Sequence, residues 1–173
     1  FVNEGAARDT LCKAIFAQEG STYWVVVNSV RYPARDWVDS NGNKIEDMVA
    51  LGLVVEGDTI EELADKTGMD PVKLQASVDQ YNAAVRGEAE DPLGFQVASA
   101  DVELGDGPWY ACKKVPTVHH TMGGVAINTD CQVLNESNEA IPGLYAAGEV
   151  TGGIHGGNRL GGNAIADCFT FGR

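Results

Sequence analysis

The sequence lacks paired cysteines, long apolar runs and an even balance of charge. Its four cysteines, Cys12, Cys112, Cys131 and Cys168, stand far apart and form no CxxC. That spacing excludes a zinc ribbon and the CxxCH attachment of a c-type haem, so no metal or haem site is expected. The thiols read as small, inert core residues. No stretch approaches the roughly 20 apolar residues of a membrane-spanning helix. The opening residues, FVNEGAARDT, show no basic segment followed by an apolar one, and no signal peptide is expected. A soluble protein, cytoplasmic or periplasmic, fits these absences. Cations are scarce: 12 Lys and Arg face 25 Asp and Glu, a formal charge of −13. Nucleic acid and anionic membrane are thereby excluded as partners of the bulk surface. A small anion would need a local pocket built against that field.

What is present is a mixed α+β pattern over 173 residues, enough for one domain or parts of two. Residues 9–18 (DTLCKAIFAQ) predict a short helix with Leu11, Ala14 and Ile15 on one face. The β-branched and aromatic run TYWVVVN (22–28) predicts a buried strand. Thr59 followed by Glu62 is a capping-box pattern opening a helix to about Lys66, with Gly68 as its stop. Asp70 and Pro71 read as N-cap and first-turn proline of a second helix. In that helix Leu74, Val78, Tyr81 and Val85 form one apolar core stripe before Gly87. After Pro108, WYACKKVPTVHH, VAIN and CQVL read as short strands, NESNEAIPG as a polar turn and GLYAAGEV as a final strand. A helix is expected from about Asn163, still running at Arg173. Both ends read as cut, and a longer parent polypeptide is expected.

Three segments carry candidate chemistry. GLYAAGEVTGGIHGGNRLGGNA leads from a strand ending near Glu149 through a glycine loop into a helix N-terminus. Unpaired N–H groups at such an end favour negative charge, and an acid at a strand end can accept from sugar hydroxyls. The guanidinium of Arg159 suits an anion. The same segment also reads as a tight turn with one surface arginine. In VHHTMGG, adjacent histidines on a strand would face opposite sides. One would meet a substrate and the other a cofactor, or one is a core histidine and the other solvated. His155 reads as a loop or packing residue. Arg8, in AARDT, reads from residue chemistry alone as a surface arginine paired with Asp9 or Glu4.

At FVNEGAARD, GDTIEELADKTGMD, VDQYNAAV, VHHTMGGVAIN and GLYAAGEVTGGIHGGNRLGGNAIAD the sequence resembles the soluble fumarate reductase flavoproteins of the flavocytochrome c type. They sit within the fumarate reductase/succinate dehydrogenase FAD-binding family. The resemblance implies that residues 1–120 are a mobile clamp, or capping, domain. It implies that residues 121–173 are the C-terminal part of the FAD-binding domain, whose GxGxxG unit lies upstream of Phe1. Position by position, Arg8 resembles the catalytic arginine that delivers a proton. His119, Arg159 and Gly162 resemble substrate-binding positions. His120, Glu149, Ala164 and Ile165 resemble positions lining a non-covalent FAD. The implied reaction is hydride transfer from reduced flavin N5 to fumarate, giving succinate. Reduction of another α,β-unsaturated acid such as urocanate is the alternative, and a non-catalytic clamp without FAD is the other. The electron donor would be a haem domain, a cytochrome or a reduced flavin or quinone route, none of them within these residues.

Overall fold

A computed structural model describes residues 1–172. It is a mixed helix-and-sheet structure with small antiparallel sheets, and it separates into two compact units, Phe1–Pro116 and Thr117–Arg173.

The first unit opens with α1 (Arg8–Phe16) and β1 (Tyr23–Asn28). A short helix α2 (Ile45–Ala50) and strand β2 (Val55–Gly57) follow. Helices α3 (Ile60–Thr67) and α4 (Pro71–Val85) come next, then strand β3 (Trp109–Lys114). The sheet order is β1-β3-β2, antiparallel throughout. β3 sits centrally, with Val25 opposite Cys112 and Val55 opposite Ala111.

Alternation along β3 explains why its residues are apolar on both sides. Trp109 and Ala111 join Ile60, Leu63 and Val78 in one cluster under α3 and α4. Tyr110 turns the other way and packs with Ile45 and Val54. β1 divides likewise: Trp24 and Val26 support the first cluster and Val27 the second. The sheet is covered on both faces, so TYWVVV reads as a continuous run and not as an alternation.

The helix ends follow their local chemistry. Thr59 Oγ1 accepts from the Glu62 N–H at 3.2 Å, and Glu62 Oε2 accepts from the Asp58 N–H at 2.8 Å. Gly68 takes the left-handed conformation (φ 75°) that closes α3. Asp70 Oδ1 accepts from Val72 and Lys73 at 2.9 and 3.1 Å, and Pro71 occupies the first helical position. Of the expected α4 stripe, Val78 is buried and Leu74, Tyr81 and Val85 are half-buried.

The second unit contains β4 (Gln132–Leu134), β5 (Ala140–Tyr145) and α5 (Asn163–Phe171). β4 and β5 pair antiparallel, and a parallel bridge joins Val125 to Thr151. Val133 is its one buried hydrophobic side chain among the described residues, while Ile165 and Phe169 on α5 lie exposed.

Several expectations change here: VAIN forms only isolated bridges at Val125 and Ile127, and β5 begins at Ala140, inside the stretch expected as a polar turn. Residues 118–120 are not in a strand, and Val118 is 93% exposed. GLYAAGEV is a strand only as far as Tyr145, because Gly148 turns the chain at φ 79° into a 3-10 turn, Gly148–Val150. Glu149 therefore projects from a turn and not from a strand end. α5 ends at Phe171, where Gly172 caps it through an N–H to Cys168 O bond of 3.0 Å. Arg173, where the helix was expected still to be running, lies outside the described residues.

Candidate active site

The loops of the second unit gather most of the predicted residues. Gly124 allows the first close approach. A Cβ there would collide with the Val150 carbonyl, and one on Gly152 would stand 2.8 Å from the Gly124 nitrogen. The two backbones instead bond directly, Val125 N–H to Val150 O at 2.9 Å and Gly152 N–H to Val125 O at 3.0 Å. This contact brings the segment after His120 alongside the turn that holds Glu149.

Thr121 then fixes the acid. Its N–H donates to Glu149 Oε1 at 3.0 Å, and its hydroxyl lies 3.3 Å from the same oxygen. The Thr121 N–H is the main reason the Glu149 carboxyl titrates below its ordinary range. Partial desolvation opposes it, and the charges of His120 and Arg159 reinforce it. Glu149 stays half-exposed, so an ionised acceptor faces outward.

His120 lies behind this acid. Its side chain is 4% exposed, Nε2 stands 3.9 Å from Glu149 Oε2, and neither ring nitrogen has a hydrogen-bond partner. Its ring meets that of His155 edge-on, with centroids 5.4 Å apart at 85°. His119, the next residue back, is exposed. The two histidines thus occupy different environments, as expected, but through irregular backbone.

Arg159 is half-buried. Its Nη1 donates to Leu160 O at 3.3 Å, while its buried Nε has no partner. Gly162 stands in the left-handed region (φ 89°) at the N-cap of α5, and no side chain caps that end. The Ile165 N–H is engaged by Gly162 O at 3.0 Å. Ala164 is half-buried, and Ile165 presents its side chain outward. Arg8 belongs to the other unit, exposed at the first residue of α1.

Two participants escaped the sequence reading. Thr121 is marked only by following VHH. Asp167 is an acid inside the apolar helix AIADCFTF, and it is buried with its Oδ2 3.0 Å from His155 Nε2. An acid on the buried face of an otherwise apolar helix was the available signal.

Among the described residues, the buried side-chain atoms without partners are His120 Nδ1 and Nε2, Arg159 Nε and Asp167 Oδ1. All lie in the second unit. By contrast Asn28, equally buried in the first, donates to Gly105 O and Asp106 O and accepts from the Val30 N–H. Native structures rarely leave such atoms unmatched. Gly157 and Gly161 add a second sign. A Cβ on either would touch nothing within 4 Å, and neither adopts the left-handed conformation. Nothing inside the chain demands glycine there, whereas a ligand lying against the loop would.

Comparison with known proteins gives the family. A family model described as an FAD binding domain matches residues 1–165. The chain belongs to this FAD-binding family. The family member is 43% identical over 173 residues to an NADH:acrylate oxidoreductase of Vibrio harveyi, covering 100% of this chain and 17% of that protein. It is 36% identical to a urocanate reductase of Eggerthella lenta, covering 100% of this chain and 28% of that protein. A solved open conformation of a flavocytochrome c3 fumarate reductase superposes with a TM-score of 0.70 at 41% identity. That match covers 99% of this chain and 29% of the other. The chain therefore spans under a third of the length of each of these relatives. The resemblance to fumarate reductase flavoproteins holds along its whole length.

The residues present fit FAD. Glu149 supplies an outward-facing ionised acceptor suited to hydroxyls, and the N-terminal end of α5, which no side chain caps, carries the positive end of the helix dipole that suits an electron-rich ring edge. Among the described residues no cluster of His, Cys, Asp and Glu is arranged to hold a metal, and no helix is long and apolar enough to cross a membrane.

Proposed function

We propose that this chain is the clamp and flavin-facing portion of an FAD-dependent reductase of α,β-unsaturated acids, with fumarate as substrate and succinate as product. The observation that carries the reading is the concentration of orphaned buried polar atoms beside a glycine loop in one unit of an FAD-binding family member.

In this reading residues 1–120 are the clamp, and residues 121–173 are the C-terminal part of the flavin domain. Bound FAD, held without a covalent link, would supply the hydride. Glu149 would accept from its ribityl hydroxyls, His120 would lie beside it, the backbone of Ala164 and Ile165 at the first turn of α5 would face its ring, and Gly162 would lie against the substrate. Arg159 would grip a substrate carboxylate with its guanidinium fork, giving orientation as well as charge. His119, exposed on the same unit, would take a second position on that carboxylate. The open glycines at 157 and 161 let a planar acid lie close to the backbone. Arg8 would stand where the proton reaches the second alkene carbon. A guanidinium holds its proton tightly, so Arg8 works as a donor only where a relay replaces that proton at once. Its placement on a clamp would couple closure to chemistry and exclude water.

Turnover by the full-length polypeptide that carries this chain tests the reading, with a reduced dye as donor and fumarate, urocanate and acrylate as competing substrates. Fumarate reduction that collapses in Arg8→Gln and Arg159→Gln is the expected result. Failure to reduce any of the three acids removes the proposal, and reduction of urocanate or acrylate alone moves it to that substrate.

For the 173 residues by themselves a second reading is favoured by the distribution of core. Both hydrophobic clusters lie in the first unit. A clamp of this size can fold without cofactor. The isolated chain is then expected to be colourless and inactive, and a flavin absorption band in the purified chain would overturn this second reading.

A further inference from the structure

His155 and Asp167 bracket the loop that carries Arg159 and Gly162. Of the eleven residues between them four are glycine, at 156, 157, 161 and 162. Glycine loses more conformational freedom on ordering than any other residue. A loop of this composition does not hold a guanidinium in one place by itself. Across its ends, His155 Nε2 meets Asp167 Oδ2 at 3.0 Å, with the two side chains 10% and 2% exposed. A carboxylate can only accept, so the contact places the shared proton on Nε2 of His155. The bond ties the loop to the middle of α5, the helix whose N-terminus lies at Gly162.

The other face of His155 meets His120. That ring has no hydrogen bond at either nitrogen, so its orientation is set by the Glu149 carboxylate 3.9 Å from Nε2 and by packing, with the edge-on His155 ring as its aromatic neighbour. One side chain therefore touches both the anchor of the loop and the buried histidine.

We propose that His155 and Asp167 are a positioning pair, which closes the Arg159 loop onto α5 and sets the plane of the His120 ring. What Arg159 and His120 do rests on the reductase reading above, but the closure itself does not. A buried pair with a purely structural role would also be retained in the fold. It would not, however, make substrate affinity depend on whether the replacement keeps a donor at the Nε2 position.

The experiment compares His155→Gln, which keeps an amide donor near that position, with His155→Ala, which removes it. Both are made in the full-length, flavin-loaded polypeptide, with histidine ring nitrogens labelled with 15N. Loss of a buried charge-assisted bond corresponds to roughly tenfold or more in an equilibrium. Expected in the alanine variant are a KM for fumarate raised about tenfold or more, a smaller change in kcat, and displaced His120 ring resonances. The glutamine variant is expected to return KM to within about threefold of the parent. The proposal is overturned if the alanine variant leaves KM and the His120 resonances unchanged, or if glutamine rescues nothing. Should the alanine variant fail to fold, the parent protein still decides. Its His155 ring must show one fixed tautomer protonated at Nε2 and a proton–proton contact to His120, and an averaging ring without that contact overturns the pair. If the parent reduces no unsaturated acid, the reductase reading fails, while the ring spectra still report on the closure.

Discussion

The backbone N–H of Thr121 donates to Glu149 at 3.0 Å and holds that carboxyl ionised below its usual range. An ionised acceptor forms stronger hydrogen bonds to hydroxyl donors than a neutral one. Glu149→Gln keeps the shape and loses the charge. FAD affinity of the full-length polypeptide is expected to fall by about tenfold or more. Titration of the apoprotein with FAD, followed by flavin fluorescence, checks this, and an unchanged dissociation constant would separate Glu149 from the cofactor. Because the folded carboxyl titrates low, its ionised form persists as pH falls toward that lowered value. FAD affinity is therefore expected to be steady through neutral pH and to weaken only below the ordinary carboxylate range.

Arg159→Lys tests the fork geometry. Lysine retains the charge but presents a point donor on a flexible stem. If Arg159 grips a carboxylate with two parallel bonds, kcat/KM for fumarate drops by roughly a hundredfold, about 2.7 kcal/mol of transition-state stabilisation. Steady-state kinetics at several fumarate concentrations would show it. A lysine variant within about threefold of the parent leaves no role for bidentate contact.

The glycines divide into those the chain needs and those it does not. Gly124→Ala would drive a Cβ into the Val150 carbonyl and prise apart the Val125–Thr151 bridge. Gly161→Ala meets no atom within 4 Å and no left-handed backbone. The first is expected to destabilise by about 1–3 kcal/mol. The second leaves stability level or raises it by up to about 1 kcal/mol, yet weakens substrate or flavin binding. Chemical denaturation paired with ligand titration distinguishes the two. Tight binding in the Gly161 variant would mean that nothing approaches the backbone there.

What the sequence disclosed was local. Thr59 with Glu62, Gly68, and Asp70 with Pro71 act on atoms within a few residues, and the helix ends stand where those residues put them. The sheet order β1-β3-β2 was not legible, since it depends on pairing Val25 with Cys112 across most of the first unit. Helices α1, α3, α4 and α5 were readable; α2 and β2, in the mixed stretch around 31–56, were not, and the expected strands at Val118–His120 and at VAIN did not form, the latter leaving only isolated bridges at Val125 and Ile127. GLYAAGEV misled because its apolar residues continue past Tyr145, while Gly148 bends the backbone away. Glu149, Arg159 and His120 were visible through their motif. Their neighbours Thr121 and Asp167 were not, and His155 was read only as a loop or packing residue, because their importance comes from contacts made across loops.

Glu4 offers a test of the first unit alone. Its carboxyl is raised above the ordinary value, first by partial burial and then by the charges of Asp91 and Asp101. A carboxyl raised in the folded state binds its proton more readily there than in the unfolded chain, so ionising it works against folding. At neutral pH, Glu4→Gln removes that opposition and is expected to stabilise slightly, by no more than about 0.5 kcal/mol at so accessible a site. As pH falls through the raised folded-state value toward the unfolded one, the parent protonates and the advantage of glutamine disappears. Urea midpoints of both proteins at neutral and acidic pH measure the difference. An advantage that grows in acid would show that Glu4 is held by a favourable partner and not opposed by Asp91 and Asp101.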